Sequence, residues 1–271
     1  MPQPTPSAPA PKRRAAGIRV RSAAAAGLLV ALVGVSGAWM LAQARPTPSA
    51  PVLAVPPGRA EGIVRRTEVA FADAEGVWQR ATRVGERRGY APARVTFFSR
   101  ASGSACAPEP VSGPFYCPET GTAAFDLAYL DALGERLGRQ RELGLALYAV
   151  RVASQHLQRE IGALDTAAMA LVAGRRGRRA EVGTALALQA DCLAGVWAAA
   201  AEPRLGPVPD GFWNQLVWSA RNASADFGEA GLAVPPDLDV FARGTREARD
   251  VAFAEGYASG RVDECRLTLD G

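Results

Sequence analysis

From Ser22 to Gln43 the chain reads SAAAAGLLVALVGVSGAWMLAQ, 22 positions with no charge and no polar stripe. That length crosses a bilayer as a helix, whereas a core helix this long would show a polar face. Residues 44–62 then run Pro-rich through RPTPSAPVLAVPPGRA and predict an extended linker. Residues 63–271 predict a globular body. In it, Asp73 is expected to cap a helix to about Arg88, with Val77, Trp78 and Ala81 on one face. Arg94–Ser99 (RVTFFS) and Thr122–Leu127 read as short strands. Asp126 predicts the cap of a helix Leu127–Leu137 with Leu130, Leu133 and Leu137 along one side. A longer helix, Arg141–Ile161, carries Leu143, Leu147, Val150 and Leu157. After the break GRRGRR at 174–179, helices are predicted at Ala180–Ala201, Phe212–Phe227 and Leu238–Tyr257. The fold class is α+β, predominantly helical, with a small sheet and one preceding transmembrane helix.

Charge sharpens the topology. The net charge of +4 comes from residues 1–22, which hold five basic residues and no acid. The remainder holds 26 basic against 27 acidic residues, so the body is a poor nucleic-acid binder. Residues 1–21 read as a disordered basic tail. With the basic cluster ahead of the apolar stretch, the positive-inside rule puts the N-terminus in the cytoplasm and the body on the extracytoplasmic side of the inner membrane. Ala42-Gln43-Ala44 offers a signal-peptidase alternative. The length of the apolar stretch, with Pro46 just after the would-be cut, favours an uncleaved anchor. Four cysteines, none in a CxxC, read as two disulfides outside the cytosol. Three pairings are possible. Cys106 and Cys117 flank a short loop, so local closure is the natural one and leaves Cys192 with Cys265.

The chemistry-bearing residues are few. The chain has one histidine, His156, which excludes any site with two histidine ligands from one chain. Ser154 stands about 200° from His156 around a helix, so the two make no dyad. His156, Glu160 and Asp191 would make a one-histidine, two-carboxylate metal site, but the stronger reading packs and hydrogen-bonds His156 at a helix contact. Phe212, Trp213 and Trp218 would line a peptide groove or, more simply, the core. Four arginines within 174–179 would take anionic lipid or phosphate or, more simply, make a solvated loop.

Several stretches carry a resemblance: VAFADAEGVW at 69–78, VTFFS at 95–99, GPFYCP at 113–118 and LQADCLAGVW at 188–197, followed by FARGT at 241–245 and Gly256-Tyr257. In order and spacing the chain resembles the bacterial neutral zinc metallopeptidases over about residues 63–267. That resemblance implies a membrane-anchored, zincin-like domain with an HExxH helix. There, two histidines one turn apart bind zinc and the glutamate activates the metal-bound water. This chain departs at those positions. Aligned through His156-Leu157-Gln158, the first ligand falls on Arg151, the general base on Val152 and the second ligand on Gln155. The third ligand falls on Ala187, four residues before Asp191. His156 matches a histidine that is not a ligand.

The resemblance therefore implies the scaffold without its catalytic residues: an envelope protein with no metal cofactor, binding or assembling with a protein or peptide. The alternative is an active hydrolase with unconventional metal ligands. An unpaired buried guanidinium is costly, so Arg151 is expected to pair with Asp191 across the vacated site, both ends mattering to stability.

Overall fold

The computed structural model describes residues 55–82, 90–173, 178–232 and 234–269. The tail 1–21, the anchor Ser22–Gln43, the linker as far as residue 54, the helix end after Thr82 and residues 174–177 lie outside the described residues.

The first helix, α1 (Pro57–Thr82), begins inside the segment read as linker. Pro57 stands at its first position, where a missing N–H costs nothing. Ile63, Thr67, Ala70, Phe71, Ala74, Val77 and Trp78 then follow the helical spacing, and all are buried. Asp73 is thus no cap. It lies mid-helix, and its Oδ2 accepts from the Trp197 indole at 2.8 Å and from Arg204 at 2.6 Å.

Five strands follow: β1 (Arg94–Phe98), β2 (Ser102–Ser104), β3 (Ala107–Val111), β4 (Phe115–Cys117) and β5 (Thr122–Asp126). The sheet order is β1-β5-β4, with β1 parallel and β4 antiparallel to β5; β2 and β3 form a separate antiparallel pair. The two predicted strands are β1 and β5, while β2, β3 and β4 are additional. β2 and β3 are short and rich in Gly, Ser and Pro, and β4 is only three residues long, so none carries enough alternation to be read as a strand. The Cys106–Cys117 disulfide ties β4 to the turn before β3.

Asp126 does cap α2 (Leu127–Leu137), accepting from Ala128 and Tyr129 N–H at 3.0 and 3.3 Å. It also accepts from Arg100 N and Gly113 N, at 2.9 and 3.0 Å. This fully buried carboxylate therefore fixes two loops as well as a helix end. Helix α3 (Arg141–Glu160) is buried on every side from Gly144 to Ser154, so it is the central helix rather than a one-faced one. It is packed by α1, α2, β4, β5 and two later helices, α4 (Ala163–Ala173) and α5 (Arg178–Leu205). By length and composition α5 would cross a bilayer, but 67% of its apolar window is buried in this protein, which makes it a core helix.

Helix α6 (Phe212–Glu229) buries Phe212 and Trp213 in the main core. The last helix, α7 (Arg246–Ser259), starts eight residues later than the predicted Leu238. Gly244 at φ +76° breaks the chain there, and the Thr245 hydroxyl caps Ala248 N–H. Helices α5 and α7 cross backbone to backbone. A Cβ on Gly195 would meet Phe253 O at 2.1 Å, and one on Gly256 would meet Cys192 O at 1.9 Å. The Cys192–Cys265 disulfide closes beside this crossing, so both disulfides follow the expected pairing.

Candidate functional site

The glycine crossing decides what faces the central helix. Asp191 is four residues before Gly195, and Arg249 is seven before Gly256, so each lies on the face of its helix that meets the other. Asp191 and Arg249 are both 0% exposed, and Arg151 reaches them from α3 at 1%. Arg151 Nε donates to Asp191 Oδ1 at 2.6 Å, which is the expected pair. Arg249 Nη2 donates to the same oxygen at 2.7 Å. Arg249 Nε lies 2.7 Å from Oδ2 without hydrogen-bond alignment, a contact of charges only.

Three buried charges thus meet as two cations and one anion. The surplus positive charge is spread over carbonyls and a ring. Val240 O accepts from both arginines, at 3.1 Å from Arg151 and 3.0 Å from Arg249. Arg243 O accepts from Arg249 Nη1 at 2.9 Å, and the Arg249 guanidinium lies 4.6 Å over the Phe241 ring. Arg221 of α6 holds the same segment through Phe241 O and Gly244 O, at 2.8 and 2.5 Å. Burial pushes the Arg151 guanidinium down to about 10, with Asp191 pulling it back up and Arg249 pressing it further down. It remains protonated at neutral pH. Its Nη1 and the Gln155 Oε1 are buried without partners.

His156 sits just over one turn further on and is also 1% exposed. Its Nε2 lies 2.6 Å from Ala91 O, which accepts only, so Nε2 carries the proton. Its Nδ1 accepts from the Tyr116 hydroxyl at 2.8 Å. Burial pushes the Tyr116 phenol up to about 12, so it keeps the proton it donates. Tyr90 packs edge-on to the imidazole at 5.3 Å between ring centres. Glu160 Oε2 accepts from Ala91 N at 3.3 Å. The helix-contact reading of His156 is the one found, with both ring nitrogens engaged.

The proposed one-histidine, two-carboxylate set does not form. His156 and Glu160 clamp Ala91, and Asp191 is held between two arginines. Among the described residues no group of three or more His, Cys, Asp or Glu gathers for a metal. Ser154 Oγ donates to Val150 O at 3.0 Å, within its own helix. Val152 is fully buried, Ala187 offers a methyl group and a backbone carbonyl 3.4 Å from Arg151, and Gln155 offers only an amide. This donor set does not fit zinc. A guanidinium has no lone pair to give and repels a cation, and the nearby carboxylate is already shared by two positive charges.

Of the aromatic trio, Trp218 alone is on the surface, at 49% exposure. It lines a shallow depression of about 420 Å³ with Asn214, Gln215, Arg246 and Asp250. Arg249 is the site residue that sequence reasoning missed. It sits in a charged run, REARD, that looks solvated. Its one signal was the seven-residue spacing to Gly256.

The chain belongs to the family described as putative neutral zinc metallopeptidase, whose model matches residues 16–267. It is 26% identical over 204 residues to the Escherichia coli protein YpfJ, covering 73% of this chain and 69% of that one. It is 29% identical over 188 residues to Mb2605 of Mycobacterium bovis and to Rv2575 of Mycobacterium tuberculosis, covering 65% of this chain and 62% of theirs. All three are named as uncharacterized proteins. No solved structure matches it.

Proposed function

We propose that this member of the zinc metallopeptidase family is catalytically inactive. On this reading Ser22–Gln43 anchors it in the inner membrane, and its extracytoplasmic body serves a binding or assembly role with a protein or peptide. The observation that carries the reading is the Arg151–Asp191–Arg249 cluster. It occupies the seam between α3, α5 and α7, where the family's motif would place its ligands. A charge network there joins the same helices that a metal would join, without a Lewis acid or a base for water. Two buried disulfide cysteines, Cys192 and Cys265, and a second bridge in the sheet region support an oxidising compartment. The Trp218 depression offers a place for a peptide side chain, because an exposed indole supplies apolar area beside Arg246 and Asp250.

The test is the metal content and peptidase activity of the full-length protein purified in detergent after zinc supplementation. The expected outcome is far less than one zinc per chain and no metal-dependent cleavage of unstructured peptides. About one tightly held zinc per chain, surviving dialysis, would overturn the reading, because such a site needs three or four proper donors.

A further inference from the structure

The depression of about 420 Å³ beside Trp218 lies where the first turns of α6 and α7 meet, and helical spacing accounts for its lining. Gly211, Asn214, Gln215 and Trp218 stand three or four positions apart along one face of α6, and Arg246 and Asp250 stand four apart on α7. Among the described residues the Trp218 indole is the one large apolar group in that lining, and it is 49% exposed. The polar groups around it are tied to one another. Arg246 Nη1 donates to Asn214 Oδ1 at 3.2 Å, and Asp250 Oδ1 accepts from Asn214 N at 3.1 Å. That leaves Asn214 Nδ2 and the rest of the guanidinium to donate, Asp250 Oδ2 to accept, and the exposed Gln215 amide to do both. A Cβ added at Gly211 would meet nothing within 4 Å, so this edge of the depression is open.

From this lining we infer that the depression is a saccharide-binding site, in which a hexose ring lies flat on the Trp218 indole while its hydroxyls bond to Asn214, Gln215, Arg246 and Asp250. A gluco-configured ring carries its substituents equatorially, so its faces present C–H groups made slightly positive by the attached oxygens. The indole face is negative, and the two attract when they lie parallel. Each hydroxyl both gives and takes a hydrogen bond, so neighbouring hydroxyls satisfy a guanidinium and a carboxylate side by side. A charged side chain of either sign would be repelled by one member of that pair. An apolar peptide side chain would use the indole but strip water from four polar groups without replacing its hydrogen bonds, at a cost for each. Aromatic anchors between proteins sit in desolvated apolar pockets, whereas this one is shallow and polar up to the edge of the indole. Its volume falls within the range of small-ligand sites, about 300–1,000 Å³, and the open edge at Gly211 lets a chain of linked sugars continue past it. The inference goes beyond the reading of an inactive, partner-binding protein and stands without it.

The test uses the full-length protein in a zwitterionic detergent, because a glycoside detergent would compete for the site. It is titrated calorimetrically with chitotetraose, with cellotetraose and with a capped tripeptide that carries a central phenylalanine. At least one of the two saccharides is expected to bind with a dissociation constant of about 1 mM or tighter, and the peptide about tenfold more weakly or worse. Saturation-transfer spectra should single out the axial ring protons, which are the ones that face an indole. Trp218→Ala should weaken saccharide binding about tenfold or more, as for a central aromatic anchor, while Trp218→Tyr keeps a flat ring and should recover most of it. If Trp218→Ala lowers the unfolding midpoint, Gln215→Ala on the exposed rim decides in its place, with an expected loss of about threefold. Saccharide binding that survives these changes puts the sugar elsewhere and overturns the inference. So does the absence of binding by both saccharides up to about 10 mM. A peptide that binds as tightly as either saccharide, and loses its binding in Trp218→Ala, gives the depression to a peptide and also overturns the inference. None of these outcomes touches the reading of an inactive peptidase, on which the zinc content reports separately.

Discussion

Two sites on α3, little more than a turn apart, solve the problem of a buried polar group in opposite ways. Around His156 the account closes. A neutral imidazole gives one hydrogen bond to Ala91 O and takes one from Tyr116, and nothing is left over. Around Arg151 it does not close. Two guanidinium groups share one carboxylate, Arg151 Nη1 and Gln155 Oε1 have no partner, and carbonyls take the surplus. The comparison teaches that a buried ring can be satisfied by two neutral partners, whereas buried guanidinium groups that share one carboxylate draw in a third helix, here α7.

The largest effect should come from the carboxylate. Asp191→Asn leaves two buried cations facing each other and is expected to lower unfolding stability by about 3–5 kcal/mol in a urea titration. Arg151→Met should change it by no more than about 1 kcal/mol, because a one-to-one Arg249–Asp191 pair remains and the methionine fills the stem's volume. Sequence reasoning had both ends respond alike, and the second arginine breaks that symmetry. Equal losses at both positions would mean that Arg249 is not a true partner of Asp191.

The next effect tests what holds Arg249 in place. Gly256→Ala puts a methyl group against the Cys192 carbonyl, which is rigid backbone, and α7 must shift away. A loss of about 2–3 kcal/mol is expected, at the upper end of overpacking costs. Combined with Asp191→Asn, it should cost less than the sum, since a displaced Arg249 no longer faces the site. Full additivity would separate the crossing from the charge cluster.

How much of this was legible depends on the distance over which each cause acts. Asp126 as a cap, the bounds of α2 and nearly all of α3 follow from neighbours in sequence, and they were readable. So was the Arg151–Asp191 pair, because the family motif places the two helices face to face. Arg249 was not. What buries it is a close approach of two glycines 61 positions apart, and its own surroundings, Arg246 to Asp250, carry alternating charge. The start of α1 was missed because Glu61, Arg65, Arg66 and Glu68 interleave with its apolar face and hide the spacing of Ile63, Thr67 and Phe71. The cap assigned to Asp73 was a side-chain acceptor of a different kind, for an indole and a guanidinium on α5.

On the His156 side the expected effects are smaller, because each partner is neutral. Tyr116→Phe removes the donor to Nδ1 and leaves that nitrogen buried without a partner, at a cost of about 1–2 kcal/mol. The imidazole proton resonances should move when that hydrogen bond is lost, which provides a second check. An unchanged stability with an unchanged imidazole resonance would mean that the Tyr116 contact is not formed in solution.

The smallest effect belongs to Glu75, which joins the His156 region to α1. Its Oε1 accepts from Ala93 N at 2.6 Å and from the Tyr90 hydroxyl at 3.4 Å. Burial raises its pKa above the ordinary carboxylate value, and the Ala93 hydrogen bond pulls it partly back. A carboxyl raised in the folded state binds its proton more tightly there than in the unfolded chain. Its contribution is therefore fully present below the unfolded value, near 4.5, and is lost as pH rises through the folded value. At neutral pH the protein carries a half-buried charge at a small cost. Glu75→Gln keeps an oxygen for both donors and removes the charge. The variant should be slightly more stable than the parent at pH 7, by no more than about 0.5 kcal/mol because solvent reaches the group. The gain should vanish as pH falls to about 4, where the parent's own carboxyl is protonated. Paired urea titrations at the two pH values read this directly, and a variant that is weaker at pH 7 but equal at pH 4 would show that the ionised form, rather than the neutral one, is what the Ala93 turn is built to hold.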